Sequence, residues 1–274
     1  MREKVIRELQ DLRYLEWSKV RKTSGTAGSF LKSQEAREGR KLYYKLSCYD
    51  SVHGITGHES VNEIIADRLL SILGIPHLEY QLLHCIVKID GKERETWLCA
   101  SEDFKSPGDS KIALDELYDL EKLPEEGPME FCVRRGWGAY VYEMLVVDYL
   151  ILNRDRHGAN IEILRNRRDG RTAPAPLFDH GLSLLYSCHT EAEAGGFDIM
   201  KDLPVQCFVG SRSARENLDL IPAEERPVLR PLQQRDRSAL FRDLEDALPK
   251  VYQDKIWEMI WRRWQVYEDI SHRG

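Results

Sequence analysis

Apolar residues recur at helical spacing in some stretches of this chain and alternate with polar ones in others. Val5, Leu9, Leu12, Leu15 and Trp17 fall about a turn apart, which predicts a short amphipathic helix within residues 1–20. The texture then changes to Ser24-Gly25-Thr26-Ala27-Gly28-Ser29, a polar turn between strands, and residues 41–47 (Lys-Leu-Tyr-Tyr-Lys-Leu-Ser) read as an aromatic strand. Val61, Ile64, Ile65, Leu69, Leu70 and Leu73 form one helical face, which stops at Gly74 and Pro76. Residues 80–88 and 95–100 read as two strands of a hairpin around Asp90-Gly91.

Past the break at Ser106-Pro107-Gly108 the periodic segments are mostly helical, with candidates at 112–122, 128–152, 212–221, 236–247 and 251–270. The last carries Ile256, Trp257, Ile260, Trp261, Trp264 and Tyr267, a wide stripe that reads as buried core. Residues 161–164 and 175–178 read as antiparallel strands across Arg165-Asn166-Arg167-Arg168-Asp169-Gly170-Arg171, a solvated hairpin tip. The order predicts an α+β protein of two lobes. Residues 1–103 carry a short helix, a small antiparallel sheet and one main helix, and residues 104–274 form a mostly helical lobe.

Composition narrows the classes. The balance of 40 basic against 46 acidic residues disfavours a dedicated nucleic-acid binder, so no direct nucleic-acid contact is expected. Six cysteines without a Cys-x-x-Cys pair suggest neither a zinc site nor a disulfide framework, but reduced thiols in a cytoplasmic protein. The residues after Met1 hold no apolar signal core, and the longest apolar run, 144–152, is interrupted by Asp148. Export and membrane insertion are therefore not expected.

The chemistry concentrates at Asn153-Arg154-Asp155-Arg156-His157-Gly158-Ala159-Asn160 and at Asp179-His180-Gly181. Taken singly, these are ordinary turn and capping residues. Together, an Asp five residues before an Asn, with a second Asp at the end of the next hairpin, is the layout that phosphoryl transfer from ATP requires. Asp155 would orient the attacking hydroxyl, and Asn160 and Asp179 would supply hard oxygen ligands to Mg2+, with Mn2+ as a substitute. Arg156 and His157 would add positive charge or a hydrogen bond near the transferred group. Lys45 is the best cation for the α/β-phosphates, with Glu63 as its carboxylate, Glu59 as the fallback and Lys32 as a rival phosphate contact. Gly25, Thr26, Gly28 and Ser29 would cover the phosphates with backbone N–H groups. The hinge that binds adenine would lie at Glu102-Asp103-Phe104.

These motifs resemble those of the HipA-like kinases and, more widely, the phosphatidylinositol 3- and 4-kinases. Asp155-Arg156-His157-x-x-Asn160 is similar to the lipid-kinase catalytic loop, and residues 62–75 are similar to the N-lobe helix of HipA-like proteins, which favours Glu63 over Glu59. The resemblance covers roughly residues 22–190 and implies a bilobal protein-kinase-like fold with ATP and Mg2+ as cofactors. His180 departs from it, standing where many kinases have Phe, and so does the short stretch before the Gly-containing turn. The resemblance also makes Ser24, Thr26 and Ser29 candidates for regulatory phosphorylation.

The expected function is transfer of the γ-phosphate to a serine or threonine of a protein. The alternatives are a lipid or small-molecule kinase and a nucleotide-binding pseudokinase or interaction module. A protein substrate and a regulatory partner protein are the partners this implies.

Overall fold

The computed structural model describes residues 4–18, 30–37, 39–50 and 52–271. Its largest sheet has five strands in the order β1 (Val5–Asp11), β6 (Tyr80–Ile89), β7 (Lys92–Glu102), β3 (Arg40–Leu46) and β2 (Lys32–Arg37). A two-residue pair, β4 (Tyr49–Asp50) and β5 (Gly54–Ile55), follows β3. The expected hairpin is β6–β7, turned at Asp90 (φ 49°) and Gly91 (φ 77°), with both residues in the left-handed region that this two-residue turn demands.

The N-terminal segment corrects the sequence expectation. Residues 5–11 are not a helix but the edge strand β1, parallel to β6, which adds a parallel member to the otherwise antiparallel sheet. An isolated helix of this length is marginal in water, and the open edge of β6 offers the same backbone a ladder. The helical stripe is dispersed as a result. Val5 packs with the main core, Leu12 and Leu15 pack on the other side of the sheet, and Leu9 stands 52% exposed.

Helix α1 (Glu59–Leu73) has the predicted bounds and ends at Gly74 in the left-handed conformation. It packs against the sheet on one side. Its apolar residues share one core with those of α4 (Gly138–Ile151) and α7 (Lys250–Ser271). Its polar positions Glu59, Ser60, Asn62, Glu63 and Asp67 are buried as well, each facing a partner rather than water.

Further along the chain, β8 (Asp109–Ala113) precedes α2 (Leu114–Glu121), so the expected helix at 112–122 begins after a strand. The expected helix at 128–152 is two, α3 (Pro128–Arg134) and α4, separated where Gly136 turns left-handed at φ 77°. Between α4 and the C-terminal helices lie β9 (Asp155–Arg156), β10 (Glu162–Asn166), β11 (Thr172–Pro174), α5 (Glu191–Gly196) and β12 (Gln206–Cys207). The 212–221 segment is a 3-10 turn at Glu216–Leu220, and 236–247 shortens to α6 (Asp236–Leu240). The stripe on α7 is core, with Trp257, Ile260 and Trp264 buried. No described helix is long and apolar enough to cross a membrane.

One buried residue makes an acid response predictable. His58, just before α1, is 8% exposed, lies edge-on to Tyr252 at 5.0 Å, and has no hydrogen-bond partner for Nε2 among the described residues. Burial, assisted by His189, lowers its pKa from 6.5 to about 4. The unfolded chain therefore takes up the proton first, and the stability present above pH 6.5 is lost as pH falls toward 4. Unfolding free energies of the wild type from urea titration should fall across that window more steeply than those of His58→Phe, by on the order of 3 kcal/mol.

Candidate active site

Alternation on β3 aims Lys45 toward α1, where Glu63 stands one turn inside the buried N-terminal half. Lys45 Nζ lies 3.1 Å from Glu63 Oε1 and contacts Asp179 Oδ1 directly. Glu63 also accepts hydrogen bonds from the backbone N–H of His180 at 2.8 Å and of Gly181 at 3.0 Å. One carboxylate thus holds both the strand lysine and the Asp-His-Gly loop. Asn62 donates from the same helix to the carbonyls of Gly181 and Ser183, each at 3.0 Å.

Gly181 eases this approach, since a Cβ there would sit 3.2 Å from Glu63 Oε1 and 3.3 Å from Lys45 Nζ, and those side-chain ends would have to shift slightly. Asp179 has a left-handed backbone (φ 57°), and its N–H donates to the hydroxyl of buried Tyr80 at 3.3 Å. Lys32 Nζ lies 3.9 Å from Asp179 Oδ2. Burial disfavours the Asp179 carboxylate, but Lys45 and Lys32 outweigh it and hold the pKa below the usual range. Glu63 shifts the other way, because burial dominates over the pull of Lys45. Lys45 remains charged, its burial being outweighed by the two carboxylates.

The second part of the site hangs from the end of α4. Leu152, left-handed at φ 51°, closes the helix, and the chain turns into Asn153. Asn153 donates to Asp148 Oδ1 at 2.9 Å and accepts from the N–H of Asp155 at 3.3 Å. The Asp155 carboxylate, partly exposed, has His157 Nε2 at 3.7 Å as its ionic neighbour. Asn160 donates to the Asp155 carbonyl at 2.8 Å, and its Oδ1 carries no hydrogen bond among the described residues. Gly158 lets this loop approach α2, where a Cβ would lie 2.4 Å from that of Asp115.

Arg156 is corrected by the structure. Its side chain is 1% exposed and forms a two-pronged pair with Asp148, with both contacts at 2.9 Å. Its remaining reach goes to the carbonyls of Asn160 at 3.1 Å and Phe178 at 2.9 Å. Desolvation works against the guanidinium, Asp148 outweighs it, and the pKa is raised. Committed in this way, the Arg156 guanidinium is spent on Asp148 and two carbonyls, and its charge reaches Asp179 only through space. It ties the loop bearing Asn160 to the segment that leads into Asp179. The segment 175–178 does this without being a regular strand: β11 ends at Pro174, and Leu177 then bridges to His77.

Lys45 and Asp179 line a cavity of about 230 Å3 together with Tyr80, Phe104, Lys111 and Phe178. The hinge candidates therefore reach the same space. Phe104 packs on Phe178 with ring centres 5.9 Å apart, whereas the Glu102 side chain pairs outward with Arg40 at 3.0 Å. A larger hollow of about 610 Å3 shares Leu78, Tyr80, Ser101, Glu102, Asp103 and Phe104 with this cavity but holds none of Lys45, Asp155 or Asp179. Gly25, Thr26, Gly28 and Ser29, with Ser24, lie outside the described residues.

The sequence reading did not single out Tyr80 or Lys111. Lys111 Nζ sits 4.2 Å over the Phe104 ring and 3.3 Å from both Asp103 and Glu162. It lies just before the predicted helix at 112–122, in a stretch that carried no periodic signal. Tyr80 looked like one more apolar strand residue.

Sequence comparison finds no matching family model and no matching curated protein. Comparison of structures finds a Helicobacter pylori proinflammatory kinase, CtkA, at TM-score 0.60 and 14% identity, covering 97% of this chain and 97% of that one. A Shewanella oneidensis MR-1 toxin–antitoxin complex of HipA, HipB and operator DNA matches at TM-score 0.43 and 14% identity, over 93% of this chain and 61% of the other. Hydra Fam20 with sugar matches at 0.41 and 11%, over 92% and 83%. The likeness to CtkA extends over nearly the whole of both chains, and the fold is that of a kinase.

Proposed function

We propose that this protein is an ATP- and Mg2+-dependent kinase that transfers the γ-phosphate to a hydroxyl, in the first instance a serine or threonine of a protein. The observation that carries the reading is the meeting of Lys45, Glu63 and Asp179, drawn from a strand, a helix and a loop, beside a cavity that the hinge also lines. Phosphoryl transfer asks mainly for alignment and charge neutralisation, and these groups supply both.

The residues fit a hard divalent cation. Asn160 Oδ1 carries no hydrogen bond among the described residues, Asp179 is held ionised, and carboxylate and amide oxygens are the donors that Mg2+ and Mn2+ take. When bound, the metal neutralises charge on the phosphates. Lys45 holds the α/β-phosphates, Glu63 keeps Lys45 in place, and Phe104 and Phe178 offer apolar faces to the adenine. Asp155, open at its carboxylate and backed by His157, orients the acceptor hydroxyl and takes its proton.

Lys45→Met should weaken Mg-ATP binding by about ten- to a hundredfold in calorimetry, the effect of losing a charge-assisted contact, while Lys45→Arg retains more of it. The reading itself is tested with γ-labelled ATP against serine/threonine peptide pools, inositol-lipid vesicles and small polyols. Label on peptide supports it. Label only on lipid or polyol selects the alternative suggested by the Asp-Arg-His-x-x-Asn loop, and no turnover with any acceptor leaves a nucleotide-binding module.

A further inference from the structure

The arginine-rich tip between β10 and β11 is solvated, as its sequence predicts, yet its backbone is anchored to neighbouring segments. Asn166 and Arg171 close the tip by a backbone hydrogen bond of 2.9 Å, Arg167 N–H donates to the Gly108 carbonyl at 3.0 Å, and Asn166 donates to Asp109 at 3.2 Å. The hinge loop is in turn tied to β3, where Asp103 N–H donates to the Lys41 carbonyl at 2.9 Å. Three segments are thereby fixed around an open groove of about 420 Å3, with Arg40, Lys41, Lys105 and Arg167 in its wall.

Three nearby carboxylates are engaged by cations, Glu102 with Arg40, Asp103 with Lys111 and Asp169 with Arg171, while Asp109 accepts from Asn166. Lys41, Lys105, Arg165, Arg167 and Arg168 are exposed, and none has an ion-pair partner among the described residues. Lys41, Lys105 and Arg167 stand in the groove wall and Arg165 and Arg168 on the adjoining tip, a local excess of positive charge on a chain whose net charge is -6. Such a local excess favours an anionic partner.

We infer that this groove binds an acidic segment of a protein partner, extended and rich in Asp and Glu. Separate carboxylate side chains can reach the unpaired cations while passing between Glu102, Asp103 and Asp109, which would repel a continuous run of phosphates. Among the described residues the wall holds no aromatic ring on which a nucleobase could stack. The groove also shares Glu102 and Asp103 with the cavity beside Lys45, so a bound segment lies next to the nucleotide cavity. That the partner is the phosphate acceptor rests on the kinase reading, whereas the binding does not.

The test is fluorescence anisotropy of the whole chain with a labelled Asp/Glu-rich peptide and, separately, a labelled oligouridylate, at low and high salt. The variants are Arg165→Glu/Arg167→Glu/Arg168→Glu, Lys41→Glu/Lys105→Glu and the distant control Arg212→Glu. The expected result is salt-sensitive binding of the acidic peptide, weakened about tenfold by each groove variant and unchanged by the control. Equal binding by the groove variants, or binding of oligouridylate but not of the peptide, would overturn the inference. ATP turnover measured on the same samples reports on the kinase reading separately and is expected to be the same in all of them.

Discussion

Asp155→Asn is expected to lower γ-phosphate transfer roughly a thousandfold, the usual weight of a positioned general base, while leaving Mg-ATP affinity near that of the wild type. The amide keeps the shape of the side chain and cannot accept the proton of the acceptor hydroxyl. The surrounding loop should not move, because it is held through backbone atoms: the Asp155 N–H binds Asn153, and the Asp155 carbonyl binds Asn160. The carboxylate itself makes no hydrogen bond among the described residues, only the 3.7 Å approach to His157. Separate measurement of nucleotide affinity and turnover checks this, and a loss confined to affinity would assign Asp155 to binding instead.

Arg156→Met should have the largest effect on stability, a loss of about 3–5 kcal/mol in urea unfolding, the cost of breaking a buried pair on one side. It strands the Asp148 carboxylate, 7% exposed, and removes the donors to the carbonyls of Asn160 and Phe178. Replacing both partners, in Asp148→Leu/Arg156→Met, should cost less than the single change, because no unpaired charge remains buried. The activity of the double variant should still be low, since nothing then ties the Asn160 loop to the end of the segment that carries Asp179. A single variant as stable as wild type would mean that Asp148 is solvated and the pair is dispensable.

Much of this architecture is legible in the sequence wherever local pattern and tertiary demand agree. The bounds of α1 follow from its apolar face and Gly74, and the β6–β7 hairpin follows from Asp90-Gly91. Lys45, Glu63 and Asp179, named from motif order, meet within contact distance. The failures have physical causes. Residues 5–11 have helical spacing but pair with a strand edge far along the chain, Val5 with Leu82 and Ile6 with Leu83, which no local window contains. The break at Gly136 depends on one left-handed residue in an otherwise continuous helical pattern. Arg156 reads as a free cation because its partner, Asp148, sits on the preceding helix, where it looked like an interruption of an apolar run. The apolar face of α1 says nothing of its polar positions, yet Glu59, Asn62 and Asp67 are buried against the strands and loops they hold in place.

The most direct measurement is a structure of the wild type with a non-hydrolysable ATP analogue and Mg2+. The predicted result is Lys45 on the α/β-phosphates and still paired with Glu63, Asn160 and Asp179 sharing the metal, and adenine between Phe104 and the hinge backbone. Nucleotide bound elsewhere, with Lys45 still on Asp179 and no metal at Asn160, would contradict it.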